Sequence, residues 1–214
     1  KYEYSYNYQN WYPSVEYETT NTRKNIGLFD LTPFAKFELK GQQSHAELQR
    51  ICTANIKNEK GRTTYTQMLN SDGGIESDLT VVCLGENYYR IVSAAAVRAR
   101  DKHHILKHLD PKVEFKDVTE EYACLGLFGP KSRDLMTEIA GNYFKNKDFT
   151  FATGKNIIIE GIKIWAQRLS YVGELGWELY IPTKNAKKIY NIIIKIGAKF
   201  NLCNAGVHVM PATF

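Results

Sequence analysis

The sequence predicts a mixed α/β fold, with antiparallel or mixed sheets and flanking helices. Runs of alternating apolar and polar residues are joined by tight turns, most clearly around Asp72-Gly73, and this pattern is typical of β-hairpins. Apolar residues at helical spacing mark amphipathic helices, the clearest over about 184–200. Because strands come in hairpins as well as singly, we expect antiparallel sheets with helices beside them.

The first half of the chain alternates helices and strands. A short helix is expected at about 14–25, followed by the strand Ala35–Lys40, in which every second residue is apolar. The helix at about 43–53 begins with a capping box, in which Ser44 is the N-cap and Glu47 stands three residues on. Three strands and a helix complete this half, at Tyr65–Asn70, Ile75–Leu84, Tyr88–Ala94 and about 95–109.

The second half continues in the same manner. Strands are expected at about 113–118 and 122–128, and a helix at about 130–141 starts at Pro130, whose missing N–H costs nothing in a first helical turn. Glu160-Gly161 is the turn of a further hairpin. Its strands are expected at Ile157–Ile159 and Ile162–Leu169.

The hairpin around Asp72-Gly73 places two functional side chains near each other. A two-residue loop formed by Asp72 and Gly73 sets Gln67 opposite Asp78 and Tyr65 opposite Thr80. Side chains two apart on a strand share a face, so Tyr65 and Asp78 become diagonal neighbours on one face of the hairpin.

The stretch Ser170–Tyr180 carries two glycines, Gly173 and Gly176, just before a strand. In that strand Trp177, Leu179 and Ile181 point to one face, and Glu178 and Tyr180 point to the other. A carboxylate opposite an apolar stripe is either solvated or set into a site, and the pattern alone leaves both open.

The composition is that of an ordinary soluble globular protein, with 43% hydrophobic and 24% charged residues in 214. The net charge of +5 is mild and its lysines are scattered, which argues against nucleic acid and suits an anionic small molecule. No apolar run is long enough to span a membrane. The four widely spaced cysteines contain no C-x-x-C and indicate reduced core residues in an intracellular compartment.

No metal site is expected. His104 and His108 could share a helix face, and His103 lies beside them, but the sequence places no acidic or cysteine third ligand nearby. The three histidines are interpreted as an exposed polar face.

Two motifs resemble the aminomethyltransferase family, which comprises the glycine cleavage T-protein and the folate-binding halves of dimethylglycine and sarcosine dehydrogenases. They are Arg168–Leu179, which reads RLSYVGELGWEL, and Leu69–Val81, which reads LNSDGGIESDLTV. The segments 26–56 and Leu127–Arg133 match the same family, and Trp177 and Phe34-Ala35-Lys36-Phe37 follow its dehydrogenase version. The resemblance implies a discontinuous first subdomain, 1–56 plus 139–214, around an inserted subdomain, 57–138.

The resemblance also implies the site. Asp78 falls at the catalytic aspartate, and Glu178 would accept two N–H bonds from the pterin edge of tetrahydrofolate. Four further residues fall at the walls or contacts of the folate slot: Tyr65, Tyr171, Phe34 and Ser93. Each also has a purely structural interpretation, an exposed strand residue for Asp78, a surface ion pair for Glu178 and core packing for the aromatic residues.

The implied activity is transfer of a one-carbon unit from a small-molecule amine or iminium to tetrahydrofolate, in the cytoplasm or the mitochondrial matrix. FAD would enter only with a further domain or flavoprotein subunit, because the chain has no G-x-G-x-x-G pattern. The family continues beyond Ala205-Gly206 into a C-terminal barrel domain with no counterpart here, and Met210 stands where it usually carries an arginine of the folate site.

Three alternatives remain. The chain could be a catalytically silent regulatory or binding paralogue, which Met210 and the lack of the barrel favour, or a fragment of a larger flavoenzyme. A folate protein of transfer-RNA modification is disfavoured, because Ser170–Glu174 reads SYVGE and lacks that protein's cysteine.

Overall fold

The computed structural model of the chain describes residues 1–142 and 144–213. Its helices within these ranges are α1 Tyr12–Lys24, α2 Ser44–Ile51, α3 Arg98–His108, α4 Ser132–Ala140, α5 Ala186–Gly197 and α6 Val209–Ala212. Its strands there are β1 Ile26–Asp30, β2 Ala35–Lys40, β3 Thr63–Leu69, β4 Ile75–Gly85, β5 Tyr88–Ser93, β6 Glu114–Asp117, β7 Tyr122–Phe128, β8 Gly154–Ile159, β9 Ile162–Gln167, β10 Gly176–Pro182 and β11 Leu202–Ala205.

The chain forms two compact units. The first unit contains 1–31, 124–151 and 156–214, and the second unit contains 32–123 and 152–155. The mixed α/β class with flanking helices is confirmed.

The first unit is built on a six-stranded sheet in the order β11-β1-β7-β10-β9-β8. Strand β1 runs parallel to β11 and antiparallel to β7. The apolar stripe of β10, formed by Trp177, Leu179 and Ile181, lies in a buried cluster with Ile189 and Ile193 of α5. This burial fixes which face of β10 turns toward the helices.

The second unit is built on a five-stranded sheet in the order β3-β4-β5-β2-β6. One face packs into a cluster that includes Phe37, Leu79 and Ile91. On the other face Arg90 donates two hydrogen bonds, of 3.1 and 2.6 Å, to Oε1 of buried Glu38. Charge-assisted hydrogen bonds of this kind are needed to offset the cost of burying both charges.

The unit boundaries differ from the sequence-based division at 56/57 and 138/139. Strand β2 pairs along its length with β5, which draws the segment after residue 31 into the second unit. Strand β7 pairs with β1 from Leu125 to Phe128, which returns the chain to the first unit by residue 124.

The capping box expected at the start of α2 is not formed. Gln43, not Ser44, is the N-cap of α2, and it makes no side-chain capping bond. Ser44 is inside the helix, and Glu47 instead accepts a 2.6 Å hydrogen bond from Arg50. Ser44 therefore cannot cap the helix, and Glu47 forms an ion pair one turn along the helix instead.

Gly129 shows why a glycine is required between β7 and α4. Its φ is +138°, and a Cβ there would lie 2.3 Å from the carbonyl oxygen of Asn25 and 2.7 Å from that of Thr22. Its N–H donates to the carbonyl of Leu175 at 2.8 Å, so this turn also supports the segment before β10.

We predict that Gly129→Ala lowers the free energy of unfolding by at least about 2 kcal/mol, because the added methyl group meets fixed backbone at an unfavourable φ. Urea unfolding followed by circular dichroism measures the change. Gly85→Ala is the control, since a Cβ at Gly85 meets nothing within 4 Å. Equal stability of the two variants would contradict the prediction.

Candidate functional site

The β3–β4 hairpin of the second unit brings Tyr65 and Asp78 together. Gln67 lies opposite Asp78 and Tyr65 lies opposite Thr80, which confirms the predicted register. The Tyr65 hydroxyl donates a 2.8 Å hydrogen bond to Oδ2 of Asp78. Both side chains are exposed, and Tyr65 retains 58% of its accessible surface.

The turn that produces this register is not the expected one. Asn70 N–H bonds the Gly74 carbonyl at 2.8 Å, so the loop has three residues, Ser71, Asp72 and Gly73, with Gly73 at φ +82°. The ladder then shifts between the pairs Leu69–Ile75 and Met68–Ser77, leaving Glu76 as an extra residue. The longer loop and the bulge compensate, so the pairs at Gln67 and Tyr65 agree with the prediction.

The hydrogen bond to Asp78 changes the chemistry of Tyr65. The pKa of Tyr65 is raised above its ordinary value, mainly because its hydroxyl donates a hydrogen bond to the Asp78 carboxylate. Burial raises it further by a smaller amount. The Tyr65 hydroxyl therefore keeps its proton more strongly and holds one oxygen of Asp78 in place.

Ser93 and Phe34 lie elsewhere in the second unit. Ser93 pairs with Leu79, so its side chain shares the face of the apolar cluster, opposite to that of Asp78. It is buried, and its hydroxyl has no hydrogen-bond partner among the described residues. Phe34 is half-buried just before β2, and its carbonyl accepts a 2.9 Å hydrogen bond from Nζ of buried Lys36.

In the first unit, Glu178 is buried, with only 3% of its surface exposed. It lies on the face of β10 opposite to Trp177 and Leu179, as the alternation predicted. Tyr180, two residues on, donates a 2.6 Å hydrogen bond to Oε2 of Glu178. The solvated alternative for this carboxylate is therefore excluded.

The neighbouring strand β9 extends this polar face with two residues that sequence reasoning missed. Gln167 pairs with Glu178, and Trp165 pairs with Tyr180. The Trp165 indole donates to Oε1 of Gln167 at 3.4 Å, while Nε2 of the fully buried Gln167 has no partner among the described residues. The signal was available, since a polar Gln167 ends a run that reads IKIWAQ.

The segment 170–175 before β10 is held by α1. Arg23 Nη1 donates to the carbonyl of Val172 at 3.2 Å and forms a 3.0 Å ion pair with Glu174. Gly173, between them, has φ +66°. Tyr171 lies half-buried in this segment. The segment that carries the two glycines is thus an irregular loop tied to a helix.

Comparison with known proteins assigns the fold and its two motifs to a family. The family described as the GCVT N-terminal domain matches residues 1–213. The chain belongs to this family.

Its relatives include both aminomethyltransferases and dehydrogenases. Human mitochondrial sarcosine dehydrogenase is 31% identical over 226 residues, covering 98% of this chain and 25% of the relative. The aminomethyltransferase of Halothermothrix orenii is 31% identical over 198 residues, covering 92% of this chain and 55% of the relative. The chain thus spans about a quarter of the dehydrogenases and about half of the aminomethyltransferases it matches.

Solved structures agree on the fold. The aminomethyltransferase T of the glycine cleavage system from Bartonella henselae superposes with a TM-score of 0.81 at 19% identity, covering 98% of this chain and 56% of that one. A chain of heterotetrameric sarcosine oxidase from Corynebacterium superposes with a TM-score of 0.65 at 12% identity. The match covers 91% of this chain and 96% of that one. The chain is therefore an aminomethyltransferase-like domain in sequence and in fold.

Histidines and cysteines are the remaining candidate groups of this GCVT-type chain. The rings of His104 and His108 on α3 are 4.7 Å apart, and no three histidine, cysteine or acidic side chains in the described ranges are arranged to hold a metal ion. The cysteines are free thiols, and burial raises the pKa of Cys52 to about 12. No described helix is both long and apolar enough to cross a membrane.

We predict that Asp78→Asn lowers the pKa of Tyr65, because the neutral amide no longer favours the protonated phenol. A ¹³C NMR titration of ring-labelled tyrosine measures this pKa, with Tyr65→Phe identifying the signal. Asp72→Asn, in the exposed loop of the same hairpin, serves as the control. A Tyr65 pKa unchanged by Asp78→Asn would show that the hydrogen bond does not form in solution.

Proposed function

We propose that this domain binds tetrahydrofolate and takes part in transferring a one-carbon unit from an amine or iminium donor to it. The observation that carries the proposal is the burial of Glu178 with Tyr180 and Gln167 on one sheet face. Burying an ionised group is costly unless hydrogen-bond donors surround it. A polar ligand bound against this row would add hydrogen-bond partners to those that the chain itself supplies.

Glu178 suits the amino-pyrimidine edge of a pterin. An ionised carboxylate only accepts hydrogen bonds, and its two oxygens can receive two parallel N–H groups. Tyr180 already donates to Oε2, which fixes the orientation of the carboxylate. The two side chains therefore present a preorganised acceptor, with Tyr171 on the preceding loop as a candidate wall of the slot.

Asp78 suits the proton-transfer part of the reaction. Tetrahydrofolate would supply the nitrogens that take the one-carbon unit, giving methylenetetrahydrofolate. Asp78 is an exposed carboxylate with one oxygen held by Tyr65, so its second oxygen can accept or steer a proton and can stabilise a nearby cationic iminium. Phe34 and Ser93 stay candidate contacts, and Ser93 is the weaker because it lies on the opposite sheet face.

A flavoprotein domain or subunit is the proposed source of the donor. Several relatives of this chain are dehydrogenases, and each is about four times as long as the matched region. A dehydrogenase produces an iminium by removing a hydride from an N-methyl amine, and a folate-binding domain would capture that carbon. FAD would be bound by that other domain or subunit, since these 214 residues contain no G-x-G-x-x-G pattern for dinucleotide binding.

We predict that Glu178→Gln weakens tetrahydrofolate binding by about thirtyfold, as expected for loss of one charge-assisted hydrogen bond. Isothermal titration of the 214-residue chain under anaerobic conditions measures the Kd. Glu160→Gln, at the exposed β8–β9 turn of the same unit, should leave it unchanged. Absence of binding to the unaltered chain at millimolar folate would reject the proposal and favour the silent or regulatory alternative.

Asp78→Asn should separate binding from chemistry. We expect its Kd for tetrahydrofolate to change less than threefold, and its rate of methylenetetrahydrofolate formation to fall at least a hundredfold, because a positioned proton acceptor is lost. A sarcosine-oxidising flavoenzyme supplied in trans provides the iminium, and a chain-free reaction corrects for spontaneous trapping. An unchanged rate in Asp78→Asn would remove Asp78 from the reaction.

A further inference from the structure

We propose that Gln167 determines which pterin the domain accepts, by donating a hydrogen bond from Nε2 to the 4-oxo group of the ring. This inference rests on the proposed function and deepens it. The residue lies directly opposite Glu178 on the next strand, and both are almost completely buried. Directly opposed side chains have Cβ atoms about 5 Å apart, so one ring edge can reach both.

The orientation of the Gln167 amide is fixed by its neighbour. Amide oxygen and nitrogen are told apart by their hydrogen-bond partners. The Trp165 indole can only donate, and it lies 3.4 Å from Oε1 of Gln167. The oxygen must therefore face Trp165, and the NH₂ group must face away from it.

This NH₂ group has no acceptor among the described residues, although its nitrogen is fully buried. Buried donors without partners are rare in native proteins, because each loses its hydrogen bonds to water and gains none. A ligand carbonyl would satisfy it. Nothing in the chemistry assigned to Glu178 and Asp78 uses this donor.

The two side chains together define a ligand edge. A carboxylate such as Glu178 accepts N–H groups, and the NH₂ group of Gln167 offers a donor beside it. A 2-amino-4-oxo pyrimidine presents a carbonyl, a ring N–H and an amino group in that order. A 2,4-diamino pyrimidine places an amino group where the carbonyl was, so two donors would face each other at Gln167. It also carries no hydrogen on N3, so it offers Glu178 one N–H group fewer. A site built around a hydrogen bond discriminates strongly against a ligand that cannot make it.

The test compares tetrahydrofolate with its 2,4-diamino analogue tetrahydroaminopterin, which differs in the 4-substituent and in the hydrogen on N3. We expect the 214-residue chain to bind tetrahydrofolate at least thirtyfold more tightly. In Gln167→Met, which keeps the length of the side chain without a donor, the ratio of the two Kd values should fall several-fold. It should not reach unity, because the diamino ring still lacks the N3 hydrogen that Glu178 accepts. If the ratio of the two Kd values in Gln167→Met is as large as in the unaltered chain, Gln167 does not donate to the 4-oxo group.

A second variant leaves Gln167 in place. Trp165→Phe removes the indole donor, so the amide can rotate and present Oε1 to a 4-amino group. The Kd of tetrahydroaminopterin divided by that of tetrahydrofolate should fall, mainly because the diamino analogue binds more tightly. A variant that lost only packing would weaken both ligands equally, and that result would refute the positioning role of Trp165.

The outcomes separate the inference from the function on which it rests. Tetrahydrofolate binding that depends on Glu178, with an unchanged ratio in both Gln167→Met and Trp165→Phe, would refute the inference alone. If Gln167→Met does not fold, Trp165→Phe decides. Absence of Glu178-dependent binding in the unaltered chain would refute both.

Discussion

The two-residue repeat of strand β10 is the constraint on which the candidate site of the first unit depends. Because Trp177 and Leu179 must enter the apolar cluster beneath the helices, Glu178 and Tyr180 are carried to the opposite face. Trp177 is held firmly, since Phe144 and Phe149 make edge contacts with its ring at 5.4 and 6.0 Å. The position of the carboxylate is thus set by packing on the other side of the sheet.

The second unit uses the same arrangement. Leu79 enters its apolar cluster, and Asp78, one residue earlier, is turned to the other face and meets Tyr65 there. The bulge at Glu76 lies two residues before Asp78. Bulges increase the local twist of a strand and commonly redirect side chains near functional sites. In both units a tyrosine hydroxyl holds a carboxylate, one exposed and the other buried.

Much of this could be read from the sequence, because alternation and turn chemistry act over a few residues. The faces of β10, the Tyr65–Asp78 neighbourhood and the strand Ala35–Lys40 were predicted correctly. Strands β1 and β11 were missed, since each is short and their parallel pairing joins residues far apart in the chain. The polar Gln167 at the end of the run IKIWAQ was visible in the sequence. Its place opposite Glu178 was not, because it depends on register with a strand beyond an irregular loop.

The bonds from Arg23 have a consequence for local stability. An irregular segment such as 170–175 would ordinarily open by itself, exposing its amides to solvent exchange. Here its backbone at Val172 and its side chain at Glu174 are attached to the last turn of α1. Opening of the segment therefore requires either release of that guanidinium or fraying of the helix end. Amide exchange in the two elements should be cooperative, so that this GCVT-type motif is protected by a helix more than 140 residues earlier in the chain.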